Sequence, residues 1–260
     1  MPDPKINLFS STRKREIISI LGGLALWEFG CRLFFKNELF LAPPSSVVKA
    51  FADMAASGEI VRHLSATFQE FVYGLGAAIL VGLVVGYFTG ISRAADNFLD
   101  PWIGAFYSVP IITIVPLIII WFGLGIFSKV IVVFLVTVVA IIVNTGSGIK
   151  SIERSWFEVA QVYQLGKMET LWKVTIPAAL PFLLTGIRLA VGRALLGVVV
   201  AELMASQAGL GFLLRDAAEV YDTARLLVAV VLLSVIGVGS FVGIRAIERR
   251  IAPWREQEEW

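Results

Sequence analysis

Cysteine and histidine are nearly absent: the 260 residues hold one of each, Cys31 and His63. A lone cysteine closes no internal disulfide, and neither residue has neighbours at metal-ligand spacing, so no metal centre is expected. Charge is also scarce. Only 16% of residues are Asp, Glu, Lys or Arg, whereas 57% are hydrophobic, and a soluble domain of this length would need far more polar surface. Phosphate-loop glycines followed by Gly-Lys-Ser/Thr are missing, as are a Gly-x-Ser-x-Gly turn and a paired-histidine zinc motif. These absences argue against an enzyme and against a resident cofactor. The net charge of +2 is too small to mark a nucleic-acid partner.

What the chain does have is long apolar runs, over residues 17–35, 71–91, 103–122, 126–143, 178–204 and 226–244. Each suits one helix across a hydrocarbon layer about 30 Å thick. The runs are continuously apolar rather than alternating, which favours helices over a barrel. The expected fold is an all-α integral membrane protein of about six transmembrane helices. No small-x-small cleavage site follows the first run, so that run is read as a retained span. Cys31 lies within it and lacks the small and aliphatic residues that precede a lipid-modified cysteine.

Positive charge sets the orientation. With the N-terminus inside, the inner segments carry about thirteen Lys and Arg, and the outer segments carry five: Lys36, Lys49, Arg62, Arg215 and Arg225. Both termini are thereby expected in the cytoplasm. The implied layout is an inner segment 1–16, a first span 17–35 and an outer segment 36–67. A membrane core over 68–245 follows, enclosing an inner loop at 146–177, and then an inner tail 246–260. In the outer segment, Ser46 follows a Pro43–Pro44 turn and is expected to cap a short helix. Gly209, Leu210, Gly211 and Phe212 are expected to form a flexible turn. In the third run Pro110 and Pro116 are each expected to kink the helix. Gly82, Gly86 and Gly90 put small residues on one helix face, for packing within the chain or against a second copy.

Between the fourth and fifth runs lies a polar island, residues 158–181. Ile152, Trp156, Val159 and Tyr163 recur at helical spacing beside Ala160, which reads as a short amphipathic helix at the membrane surface. It is either a docking element or a plain connector. Several charged residues lie within the runs. Glu28 and Arg32, four apart, are expected to pair. Arg188 is near the inner end of its run and can snorkel, while Arg193 and Glu202 sit further along it. Glu28 and Glu202 are the only deep acids expected. Too few mid-span acids and no inverted repeats are visible for a self-sufficient secondary transporter or channel, although that class stays open.

These residues resemble a known family. Glu158-Val159-Ala160, with Pro177 nineteen positions beyond Glu158, resembles the EAA loop of bacterial ABC importer permeases. Leu41-Ala42-Pro43-Pro44-Ser45, Trp121-Phe122-Gly123-Leu124-Gly125, Ser128-Lys129, Gly186-Ile187-Arg188, Ala201-Glu202 and Gly209-Leu210-Gly211 follow in family order. The set is similar to the subgroup that imports nitrate, sulfonates, taurine or bicarbonate. The resemblance implies a type I importer permease fold in the bacterial inner membrane. It also implies cytoplasmic ATPase partners, a binding protein outside and a second permease copy. It places ATPase coupling on Trp156, Phe157, Glu158, Ala160, Tyr163, Gln164, Gly166 and Pro177. Arg193, Arg188 and Glu202 become candidates for the translocation path of a small anionic solute. Two departures stand out. Val159 replaces the middle alanine, and Gln164 occupies the place of the family glycine that makes the loop's turn. Gly166 is therefore expected to take over that turn.

Overall fold

The structure, a computed structural model, describes residues 11–34 and 39–251. Lys5, Lys36, Arg255 and the end of the inner tail lie outside the described residues. The chain divides into two compact units, one of residues 1–61 with 213–231, the other of 62–212 with 232–260.

The first unit contains α1 (Ser11–Phe34), which takes up most of the first apolar run, and α2 (Pro44–Ala56). The α2 helix starts three residues earlier than its sequence suggests, with Pro43 rather than Ser46 at the N-cap position. Pro44 sits in its first turn, where the missing N–H is no loss, so Ser45 and Ser46 lie inside the helix rather than capping it. The capping acceptor comes from α1. Glu28 Oε2 accepts from the Ser45 amide at 3.0 Å and Oε1 from the Ser45 hydroxyl at 2.8 Å. The expected Glu28–Arg32 pair forms at 2.6 Å beside them. Buried Cys31 donates a weak contact to the Ala42 carbonyl at 3.8 Å, a packing role.

The core of the second unit is built on α3 (Glu59–Ile91), α6 (Ile126–Lys150) and α9 (Ile176–Ala205). A methyl added at Gly74, Gly82, Gly86 or Gly90 would lie 2.5–2.7 Å from a side chain of Val133, Ile141, Thr145 or Ile149 respectively. The partners advance together along the two helices, so α3 and α6 run parallel and in fixed register. The glycine face read from the sequence is thus an intramolecular seam. Association of helices inside lipid gains little from apolar transfer and depends on such close approach. The α9 helix runs the other way along α6, with Gly186 against Asn144 and Gly148 against Phe182. Phe71, Ala78, Val133, Ile141, Ala194 and Val198 fill the shared core.

The third run is not one straight helix. It spans α4 (Arg93–Ser108), a 3-10 turn at Ile111–Ile114 and α5 (Val115–Phe122), bent by 80°. The break falls where expected, at Pro110, which holds Val109 extended (φ −76°, ψ 124°). Pro116 makes no second kink, because it falls in the first turn of α5, where proline is tolerated. Val115 and Ile118 of α5 pack on Val132 and Ala201. The chain continues through α7 (Arg154–Val162), α8 (Lys167–Thr170), a π-helical turn Leu171–Thr175, α9, α10 (Leu210–Glu219) and α11 (Thr223–Ile251). Among the described residues, four helices are long and apolar enough to cross a membrane, α3, α6, Lys167–Met204 and α11, and the count is five if the bent α4–α5 pair forms one broken span rather than a re-entrant loop.

A Gly86→Ala substitution tests the seam, since its methyl would meet both Thr145 and the Ile142 carbonyl. A loss of about 1–3 kcal/mol is expected in thermal unfolding of the solubilised protein. Gly76→Ala, with nothing within 4 Å, is the control and leaves stability unchanged or slightly raised.

Candidate functional site

The loop at 146–177 folds as two short helices after the end of α6. The inward contacts of α7 come from Ala160, which is buried, and Phe157, which is half-buried. Trp156 (57% exposed), Val159, Val162 and Tyr163 (74%) face outward, as does Glu158. Met168 and Trp172 add to this exposed apolar surface. Pro177 is half-buried in the first turn of α9.

The turn between α7 and α8 is made by Gln164, at φ +54°. Its amide donates to the Gln161 carbonyl at 2.9 Å, and the Leu165 amide donates to the Ala160 carbonyl at 3.0 Å. This is the Schellman ending of a helix, with glutamine in the left-handed position that usually holds glycine. Gly166 does not take over the turn. It is extended (φ −65°, ψ 162°) and caps the start of α8, its amide donating to the Glu169 carboxylate at 3.2 Å. The hydrogen-bond pattern at the end of α7 demands a left-handed residue two positions before Gly166, and the side chain gives way.

The three candidate path residues have different settings. Arg188 is half-buried and ion-paired with Glu248 of α11. Arg193 is half-buried with its guanidinium 5.6 Å from the centre of the Tyr107 ring, a cation–π arrangement. Glu202 is fully buried. Its Oε1 accepts from the Thr67 hydroxyl at 2.7 Å and its Oε2 from the Gly211 amide at 2.6 Å. Thr67 Oγ1 in turn accepts from the Leu210 amide at 2.8 Å.

The Gly209–Phe212 turn is therefore pinned rather than flexible. The Gly209 amide donates to His63 Nδ1 at 3.1 Å, and Phe212 stacks on the His63 ring. Gly209 has φ +120°, and a methyl there would stand 2.2 Å from Glu202 Oε1. At Gly211 it would stand 2.7 Å from the Val199 carbonyl. Both glycines are needed because the backbone wraps a carboxylate at contact distance.

Beside Glu202 lies a pair that sequence reasoning missed. Lys129 Nζ is ion-paired with Glu70 and donates to the Ser206 hydroxyl at 2.8 Å, and both charged side chains are almost completely buried. Glu70 is a third deep acid. It precedes the apolar run at 71–91, but α3 begins at Glu59, so Glu70 lies a third of the way along the helix. It sits one turn before Gly74, and Lys129 one turn before Val133, so the glycine register carries each to the other. The one signal in the sequence was a lysine inside the run at 126–143.

Substitutions at the turn and at the buried pair test these assignments. Gln164→Gly relieves the left-handed strain and is expected to raise thermal stability by about 1 kcal/mol. Gly166→Ala is expected to stay within about 0.5 kcal/mol of the parent. Lys129→Met leaves a buried carboxylate unpaired, with an expected loss of about 3–5 kcal/mol. The double change Lys129→Met with Glu70→Leu recovers much of it, read by the same unfolding measurement.

The family model for the binding-protein-dependent transport system inner membrane component matches residues 78–253. The putative aliphatic sulfonates transport permease protein SsuC of Bacillus subtilis is 33% identical over 236 residues, covering 91% of this chain and 86% of its own. The taurine transport system permease protein TauC of Escherichia coli is 32% identical, covering 92% and 90%. A chain of the inward-facing MetNI methionine ABC transporter shares the fold, with a TM-score of 0.63 at 17% identity over 76% of this chain and 96% of its own. The secondary-carrier reading falls away with these matches. Several membrane-crossing helices and the family match together make this a multi-pass inner-membrane protein. The chain belongs to the family of binding-protein-dependent transport system inner membrane components, the permease subunits of ABC importers.

Proposed function

We propose that the exposed face of α7 and α8 is the surface on which a cytoplasmic ATPase docks, with the N-terminus and the 146–177 loop on that side. The observation that carries this reading is the set of exposed apolar and aromatic side chains Trp156, Val159, Val162, Tyr163, Met168 and Trp172 on the two helices that carry Glu158 and Glu169. Docking interfaces concentrate their energy in buried aromatic anchors, and two tryptophans with a tyrosine fit that role. The inner contacts of Phe157 and Ala160 tie α7 to its own unit, so a push on the outer face is transmitted rather than absorbed. ATP hydrolysis belongs to the partner. A second copy of this chain completes the pathway, and a binding protein delivers solute at the opposite side.

The cargo is a small anion of the sulfonate or taurine kind, as the names of SsuC and TauC suggest. Arg193 supports this reading: its guanidinium is half-buried, ion-paired with no described residue, and held by an aromatic face that leaves its N–H fork available. Glu202 and Arg188 act as structural anchors in this scheme, each already committed to partners.

Glu158→Lys combined with Trp156→Ala is expected to abolish co-purification of the ATPase while the permease still inserts. Intact co-purification removes α7 from the docking account. Arg193→Ala is expected to cut sulfonate uptake by more than about tenfold with ATPase association retained, the scale of one lost charge-assisted contact. Unchanged uptake removes Arg193 from the path.

A further inference from the structure

The α3 and α6 helices end side by side, with Gly90 against Ile149. Beneath this junction, between it and the α7–α8 loop, is an open cavity of about 890 Å3. Its lining is unbalanced in charge. Arg93, Lys150, Arg154 and Lys167 face a single acid, Asp96. Asp96 is committed to Lys150 at 2.6 Å, and Arg93, Arg154 and Lys167 are ion-paired with no described residue. The rest of the wall includes Ile91, Phe157 and Leu171, with hydroxyls from Thr170 and Thr175.

Three unneutralised cations around one space make an anion site, and two of them are arginines, whose planar forks match phosphate oxygens. The apolar wall and the position at the ends of two membrane-crossing helices add a second requirement: the anion should carry hydrocarbon. We propose that this cavity binds the headgroup of an anionic phospholipid, its phosphate held by Arg93, Arg154 and Lys167 and the start of its acyl chains against Ile91, Phe157 and Leu171. The volume falls in the range of small-molecule sites. A lipid seated there touches the first turn of α4, the end of α6 and the inner side of α7 at once, so it props the loop from behind. Binding does not depend on the docking reading above. Only its consequence for coupling does.

The test is native mass spectrometry of the full chain, assembled with its ATPase, delipidated and titrated with phosphatidylglycerol or phosphatidylcholine. The parent is expected to prefer phosphatidylglycerol by tenfold or more. Each cation removed is expected to weaken that preference about fivefold, so that Arg93→Gln with Arg154→Gln and Lys167→Gln abolishes it. If the triple variant does not assemble, Arg154→Gln alone carries the expected fivefold loss. Arg245→Gln with Arg249→Gln and Arg250→Gln, an equal change of charge on α11, is expected to retain the preference. An equal loss in that control overturns the proposal in favour of general surface charge. Displacement of phosphatidylglycerol by millimolar inorganic phosphate overturns it in favour of a soluble anion. Absence of any preference in a complex that still holds its ATPase overturns the lipid site and leaves docking intact. Loss of the ATPase from Glu158→Lys with Trp156→Ala, with lipid preference unchanged, does not touch the lipid site.

Discussion

Contact between the backbones of α3 and α6 along four glycines governs the second unit. Inside lipid there is no water to expel between helices, so attraction between them grows as their axes approach. Gly74, Gly82, Gly86 and Gly90 allow that approach, and the side chains of Val133, Ile141, Thr145 and Ile149 fill the resulting notches. A slip of one turn would still leave two of those side chains facing glycines, but it would set Val133 against Ala78 or Glu70 and would part Glu70 from Lys129. At one end the register delivers Glu70 to Lys129; at the other it brings the helix ends together above the α7–α8 loop. A buried ion pair is weak evidence of stability in itself, because desolvation offsets attraction. Its presence here is better read as a pin that penalises other registers.

A second device recurs in both units. A glutamate on one helix takes the place of the N-cap for the next. Glu28 of α1 accepts from Ser45 at the start of α2, and Glu202 of α9 accepts from Gly211 at the start of α10. A carboxylate at a helix N-terminus satisfies donors that would otherwise be orphaned, and it complements the positive end of the helix dipole. In both cases the recipient is a short helix, entered through Ala42-Pro43 or through Ala208-Gly209. The result is that a hydrogen bond accepted by a glutamate side chain, and not packing alone, ties the two helices together.

The apolar runs announced the helices because continuous hydrophobicity over a span length has few other meanings in a chain so poor in charge. The island at 158–181 and the break at Pro110 were legible for similar local reasons. The start of α3 was not: residues 59–70 mix polar and apolar side chains, and such a segment reads as an outer loop until its partners are known. That displacement hid Glu70, and Lys129 is too remote in sequence to point back to it. The turn at Gln164 was misjudged because glycine is the usual marker of a left-handed position, and Gly166 stood nearby. The true determinant was the pair of hydrogen bonds closing the end of α7, which no single residue encodes. Ser46 was mistaken for a cap because the competing acceptor, Glu28, belongs to another helix.

Gln164 gives the loop something that a glycine turn does not have. Glycine at that position would present bare backbone at the apex between α7 and α8. Glutamine presents an exposed carboxamide with two donors and an acceptor, fixed by a backbone that cannot relax without undoing the helix end. The apex thereby gains an identity tag: a surface that meets it must leave room for the side chain and answer its polarity. On the docking role proposed above, strain accepted in folding would become a means of telling one partner from another.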